Sequence, residues 1–132
     1  MIEFEVNIRP HGKQRPRVCR NGITFTPKKT LVNERFIQLA FYENKCQKVE
    51  GNVEVEIEAI FAPNKSETKK NREIQLKGIP YSKKPDIDNI CKEVLDALNR
   101  VAFNDDACVV SLKGSKRYGK ENKLVIKIKA LS

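Results

Sequence analysis

Apolar and polar residues alternate along three stretches of this chain and recur at helical spacing along two others. Ile2, Phe4, Val6 and Ile8 alternate with Glu3, Glu5, Asn7 and Arg9, the period of a strand with one buried face. Val53, Val55, Ile57, Ala59 and Phe61 repeat this with Glu54, Glu56 and Glu58 opposite. Leu124, Ile126, Ile128 and Ala130 do so again, with Lys127 and Lys129 turned the other way. If these three strands neighbour one another in a sheet, their outward Glu and Lys rows pair across it, and many of the acids are structural.

Between the first two strands Val32, Phe36, Leu39, Ala40 and Phe41 predict a helix that starts at Thr26-Pro27 or at Thr30 and ends before Gly51. The stretch from Asn64 to Lys77 has many cations and few apolar residues before Gly78 and Pro80, so it is a short exposed helix or an arm. Ile87, Ile90, Val94, Leu95, Leu98 and Val101 then trace the stripe of a further helix, with Asp88, Lys92, Asp96 and Asn99 on its other side. Asp105-Asp106 reads as the turn into an apolar strand around Cys108 to Leu112, and residues 118–122 turn the chain back into the last strand. The order β-α-β-(α)-α-β-β predicts one small domain over residues 1–132, α/β in the broad sense (α+β), with a mixed or antiparallel sheet and helices on one face.

Charge changes the picture. Lys and Arg number 26 against 17 Asp and Glu, a formal +9, so the long-range field favours a polyanion, with nucleic acid ahead of an acidic protein or an anionic membrane surface. The segment after Met1 alternates instead of forming the apolar run of a signal peptide, and no stretch is long and apolar enough to cross a bilayer. The four cysteines, at 19, 46, 91 and 108, form no Cys-x-x-Cys pair, and the single histidine, His11, leaves little for a zinc site. We read the cysteines as reduced, mostly buried thiols of a cytoplasmic protein with no membrane partner.

Within this basic chain, Lys83-Lys84-Pro85-Asp86-Ile87-Asp88-Asn89 and the later Asp105-Asp106 cluster carboxylates. A surface that holds phosphates presents bare carboxylates only if a divalent cation lies between the two anions. Taken singly, Asp86 or Asp88 also suits a helix cap and Asp105-Asp106 a turn. Residues two apart do not face each other in a helix, so Asp86 and Asp88 share an ion only if the chain is extended on entering it. A helix from Asn89 to Arg100 separates its ends by more than roughly 15 Å. An antiparallel strand leaving Asp106 carries its far end, not its start, towards Asp86. Spacing leaves open whether these acids meet within one chain, across two, or at all.

The run Lys84-Pro-Asp-Ile-Asp-Asn-Ile-Cys-Lys-Glu-Val-Leu-Asp-Ala-Leu-Asn, with Ala-Phe-Asn-Asp-Asp-Ala-Cys-Val-Val after it, resembles the RusA family of Holliday junction resolvases, whose core is Asp-x-Asp-Asn-x-x-Lys followed by Asp-Asp. The Gly-Lys-Gln-Arg-Pro-Arg loop at 12–17 and Thr-Pro-Lys-Lys at 26–29 are similar to members of that family too. The resemblance implies a Mg²⁺-dependent endonuclease, with Mn²⁺ able to stand in, acting as a homodimer on branched DNA such as a four-way junction. Such enzymes are often carried by phages or prophages. Carried over by position, Asp86, Asp88 and Asp106 hold the metal, with Asp105 the other member of the pair, and Lys92 is the catalytic cation beside them. Lys13, Arg15, Arg17, Lys69, Lys70, Arg72, Lys83 and Lys84 are the expected phosphate contacts. Two other classes fit the charge: a non-catalytic basic nucleic-acid-binding protein, and a metal-dependent hydrolase of small phosphate compounds.

Overall fold

A computed structural model describes residues 1–131. Three helices and a four-stranded mixed sheet form an α+β domain, as the patterning predicts. In chain order the elements are β1 (Ile2–Val6), β2 (Arg17–Val18), β3 (Thr24–Phe25), α1 (Lys28–Glu43), β4 (Val53–Phe61), α2 (Lys69–Gln75), α3 (Ile87–Leu98), β5 (Val109–Tyr118) and β6 (Lys123–Ala130). The main sheet has the order β1-β6-β4-β5. β6 is antiparallel to both of its neighbours, whereas β4 and β5 are parallel and joined by the crossover that carries α2 and α3. A parallel pair requires such a crossover, and here it brings α3 onto the sheet.

Register turns the alternating pattern into two chemically distinct faces. Ile126 lies opposite Phe4 on one side and Ile57 on the other, so buried apolar residues line up across three strands under α1 and α3. On the reverse face Lys127 lies between Glu3 and Glu56, and Lys113 lies beyond Glu56. Glu5 pairs with Lys123 at 3.1 Å and Glu58 with Arg117 at 2.9 Å. These acids are structural, as the alternating Glu and Lys rows suggest, and each exposed pair contributes at most about 1 kcal/mol.

The secondary-structure elements depart from the sequence expectation in four places. In α1 the buried residues are Thr30, Asn33, Ile37, Ala40 and Phe41, while Val32, Phe36 and Leu39 are exposed. This helix is apolar on two sides, and contact with α3 and β1 selects the side that carries Ile37 and Phe41. Residues 17–25 form a separate small hairpin, β2–β3, which is too short to show a period. The strand after the aspartate pair runs on to Tyr118, because its polar half is held by parallel pairing with β4 and not by burial. The turn at 118–122 does not make a hairpin, since it carries the chain across the end of β4. There the Gly119 N–H donates to the Phe61 carbonyl, and the Ala62 N–H to Asn122 Oδ1.

The four cysteines are free thiols, as expected, but only Cys91 is buried; Cys19 is exposed and Cys46 and Cys108 are partly covered. No described helix is long and apolar enough to cross a membrane. α2 buries none of its own residues, in keeping with its polar sequence.

α3 lies close against β5. A Cβ built on Gly114 would stand 2.7 Å from Cys91 Sγ and 3.1 Å from Ile87 Cγ1, so a side chain there would push the helix off the strand. Gly114→Ala is expected to lower stability by about 1–3 kcal/mol through overpacking, read as a reduced urea midpoint.

Candidate active site

Asp86 is the residue before the first turn of α3, with φ −69° and ψ 146°. This is the extended entry that the Asp-x-Asp spacing needs. Its carboxylate makes no capping bond to the helix. It accepts instead from Lys84 Nζ at 2.8 and 2.9 Å, and this hydrogen bond holds the carboxyl below its usual range and the ammonium above its own. Asp88 stands in the first turn, exposed, with Oδ1 accepting from the Asn89 N–H.

Two clefts meet at this helix. The larger, about 830 Å³, is walled by residues 8–14, Lys29, Asn33, Lys84, Pro85, Asp86 and Asn89. The other, about 510 Å³, has an apolar floor of Ile87, Cys91, Leu95, Leu112 and Gly114, with Asp88, Lys92, Asp96 and Asp106 around it. The spacing of Asp88, Lys92 and Asp96 places them in a row along one side of α3. Asp106 reaches the cleft from a 3₁₀ turn, Asp106–Cys108, that precedes β5. Partial burial raises the Asp106 pKa; Asp96 and Asp105 add to the shift and Lys92 opposes it. Asp105 caps that turn, accepting from the Ala107 N–H at 3.4 Å, and does not line the cleft.

Of the expected acids the structure thus brings Asp88 and Asp106 to one cleft, with Lys92, and leaves Asp86 in the other. Among the described residues no three His, Cys, Asp or Glu side chains are grouped to hold a metal. The direction of β5 explains this. Gly114 abuts Cys91 and Ile87, and Lys116 Nζ donates to the carbonyls of Lys83 and Pro85, so the far end of the strand reaches the start of the helix. Asp106, at the near end, is left beside Lys92 and Asp96. Two carboxylates with open space around them still suit Mg²⁺, which is commonly held by one or two protein carboxylates and keeps several waters.

The expected phosphate contacts fall into distinct groups. Lys13 is engaged: its ammonium lies 2.9 Å from Glu34 and 3.2 Å from Asp96. Burial works against its charge, but these hydrogen bonds outweigh that and raise its pKa. Arg15 and Arg17 are exposed at the hairpin, and Lys69 and Lys70 at the start of α2. Arg72 donates to the Lys65 carbonyl, Lys83 lies 3.8 Å from Glu67, and Lys84 holds Asp86.

Three contributors went unread in the sequence. Asp96 stands on the polar side of its helix four residues after Lys92, a spacing that suits an ion pair with that lysine and does not by itself mark it as lining a site. Glu93 is 1% exposed, and it falls between Ile90 and Ala97 on the apolar stripe. His11 contacts it, with Nδ1 2.6 Å from Glu93 Oε2. Burial is the main cause that raises Glu93 to about 8, with Glu34 next; burial followed by Lys29 lowers His11.

The family model described as endodeoxyribonuclease RusA matches residues 7–129. The chain belongs to the RusA endodeoxyribonuclease family. It is also 32% identical over 139 residues to the uncharacterized protein YqaN of Bacillus subtilis (strain 168), covering 99% of this chain and 97% of that one. RusA membership covers the whole acidic motif, both clefts and the basic loop, so the fold and the family stand on the same residues.

The Glu93 proton makes stability depend on pH. Its folded pKa lies above the ordinary 4.5, so its contribution is full below the unfolded value and is lost as pH rises through the folded one. The lowered His11 acts only below 6.5. From pH 6.5 to about 8, wild-type stability is therefore expected to fall relative to Glu93→Gln and then level off, measured as urea midpoints at stepped pH.

Proposed function

We propose that this RusA-family chain is a Mg²⁺-dependent endodeoxyribonuclease that resolves four-way DNA junctions by paired, symmetric nicks, working as a homodimer in the cytoplasm. The observation that carries the proposal is the shared cleft of Asp88, Lys92 and Asp106 on a chain of formal charge +9. Asp88 and Asp106 are the carboxylates that would hold the ion, with Asp86 at the adjoining helix entry. A bound Mg²⁺ supplies Lewis acidity at the scissile phosphate and a more acidic water.

The chain's own groups do the rest. Lys92 lines the cleft with Asp88 and Asp106, where its positive charge offsets the negative charge that builds on the phosphorus oxygens. The apolar floor of Leu95, Leu112 and Cys91 thins the water around those charges, which strengthens each interaction. Arg9, Lys29 and Lys84 line the neighbouring cleft and attract the flanking backbone, while the exposed Arg15, Arg17, Lys69 and Lys70 extend that field.

Two-fold related nicks require two sites with matching symmetry, and one chain supplies one acidic cleft. The outer face of α1 supports self-association. There Leu31, Val32, Phe36, Leu39 and Tyr42 are 40–60% exposed, a contiguous apolar face that a monomer leaves in water.

A gel assay with synthetic four-way junction, duplex and single strand, with and without Mg²⁺, separates this proposal from the alternatives. Symmetric nicks only with Mg²⁺ or Mn²⁺ support it, and binding without cutting favours the non-catalytic basic protein. Asp88→Asn is expected to reduce cutting at least about 100-fold, the scale of losing a transition-state electrostatic contact, while junction binding is kept or tightened because one anion leaves a phosphate-facing cleft. Binding by wild type should weaken steeply between 50 and 200 mM salt, on the order of 10³-fold if six phosphates are contacted. Sedimentation at cutting concentrations should return a dimer.

A further inference from the structure

His11 is the chain's single histidine, and it lies on the loop that walls the larger cleft. Its ring is 12% exposed, and the Glu93 carboxyl that it meets is 2% exposed. A nitrogen and an oxygen 2.6 Å apart require a proton between them. The other carboxyl oxygen, Glu93 Oε1, is buried with no hydrogen-bond partner. An ionised carboxylate so placed would lack half its solvation, and Lys13, one of the two cations that act on it, is already engaged by Glu34 and Asp96.

The same loop is tied to α3 at its backbone. The Lys13 N–H donates to the Asn89 carbonyl at 2.9 Å, and Gly12 lies so close that a Cβ would be 3.0 Å from Pro85 and 3.1 Å from Asn89. His11 is the side chain by which the loop reaches into the buried side of the helix. Beyond it the loop continues to Arg15 and Arg17. The charged groups that face the pair are Glu34 and Lys29 of α1, Lys13 of the loop and Asp96 of α3.

We propose that His11 and Glu93 are a positioning pair: while electrically neutral together they pin residues 9–14 to α3 and leave the positive charge of the larger cleft's wall undiminished for a phosphodiester backbone. Loss of the pair's extra proton leaves a buried carboxylate behind that wall. The anion repels phosphate and loosens the loop that carries Arg9. Neither residue touches the reacting atoms; each acts through the loop. The phosphodiester ligand rests on the nucleic-acid reading given above, whereas the protonation of the pair does not.

Two measurements on the intact protein test this, and the lone imidazole makes the first unambiguous. The His11 Cε1–H resonance followed from pH 5 to 10 should show two steps in wild type, the upper of which disappears in Glu93→Gln. A single step at an ordinary histidine value, unchanged in that variant, overturns the pair. The second is the affinity for a labelled four-way junction without metal at pH 7 and pH 9. Wild type should lose about fivefold more affinity than Glu93→Gln over this range, the scale of one unit charge several ångströms from a phosphate in a partly wet cleft. His11→Ala should bind more weakly at both pH values, and Glu93→Gln added to it should restore part of the loss. Equal pH dependence in wild type and Glu93→Gln overturns the positioning role. A protein that binds no DNA at either pH overturns the nucleic-acid reading and the phosphodiester half of this proposal, while the resonance still decides whether the pair shares its proton.

Discussion

The close contact of α3 with β5 is the constraint on which the candidate site depends. Gly114 lets the helix approach the strand to within a side chain's thickness of Cys91 and Ile87, and the parallel pairing of β5 with β4 sets the direction in which the strand runs beneath the helix. Those two facts decide which acids meet. The strand begins beside Lys92 and Asp96 and ends near Pro85, so Asp106 joins Asp88 and Lys92 in one cleft and Asp86 is left at the helix entry.

A second layer of organisation is electrostatic. The sheet's exposed face neutralises its own charges strand by strand, and its acids take no part in a site. On the helical face the charges are distributed asymmetrically. Lys13 is engaged by Glu34 and Asp96, and Lys84 by Asp86. Arg9 and Lys29 line the larger cleft with no carboxylate partner among the described residues, although Arg9 donates to Asn122 and Tyr81, and Arg15 and Arg17 stand exposed beyond it. A cluster of acids flanked by exposed cations suits a polyanion that approaches with a metal ion between the two.

Glu93 is a buried polar group on the helix that borders both clefts. It belongs to the helix that carries Asp88 and Lys92, yet its contact is with a loop that walls the other cleft. That loop is joined to α3 by the short His11–Glu93 contact and by the backbone bond from the Lys13 N–H to the Asn89 carbonyl.

Strands with one buried face announce themselves by alternation, so β1, β4 and β6 were legible from local sequence, as were the cation-rich α2 and the stripe of α3. The Asp-x-Asp-Asn-x-x-Lys motif was legible through its resemblance to the RusA family, and it is compact because its geometry is set by the entry and first turns of one helix. The buried side of α1 was not, because Val32 and Leu39 are as apolar as Ile37 and Phe41, and only contact with α3 and β1 distinguishes them. The polar half of β5 has no period because it is held by backbone pairing along an edge. Local sequence determined which elements form and which acids share a helix, since both follow from periodicity over a few residues. Only the tertiary structure decided that Asp106 lines one cleft with Asp88 while Asp86 lines the other, and that Glu93 meets His11, because those juxtapositions join residues 18 and 82 positions apart and depend on strand direction and on how closely a helix can lie against it.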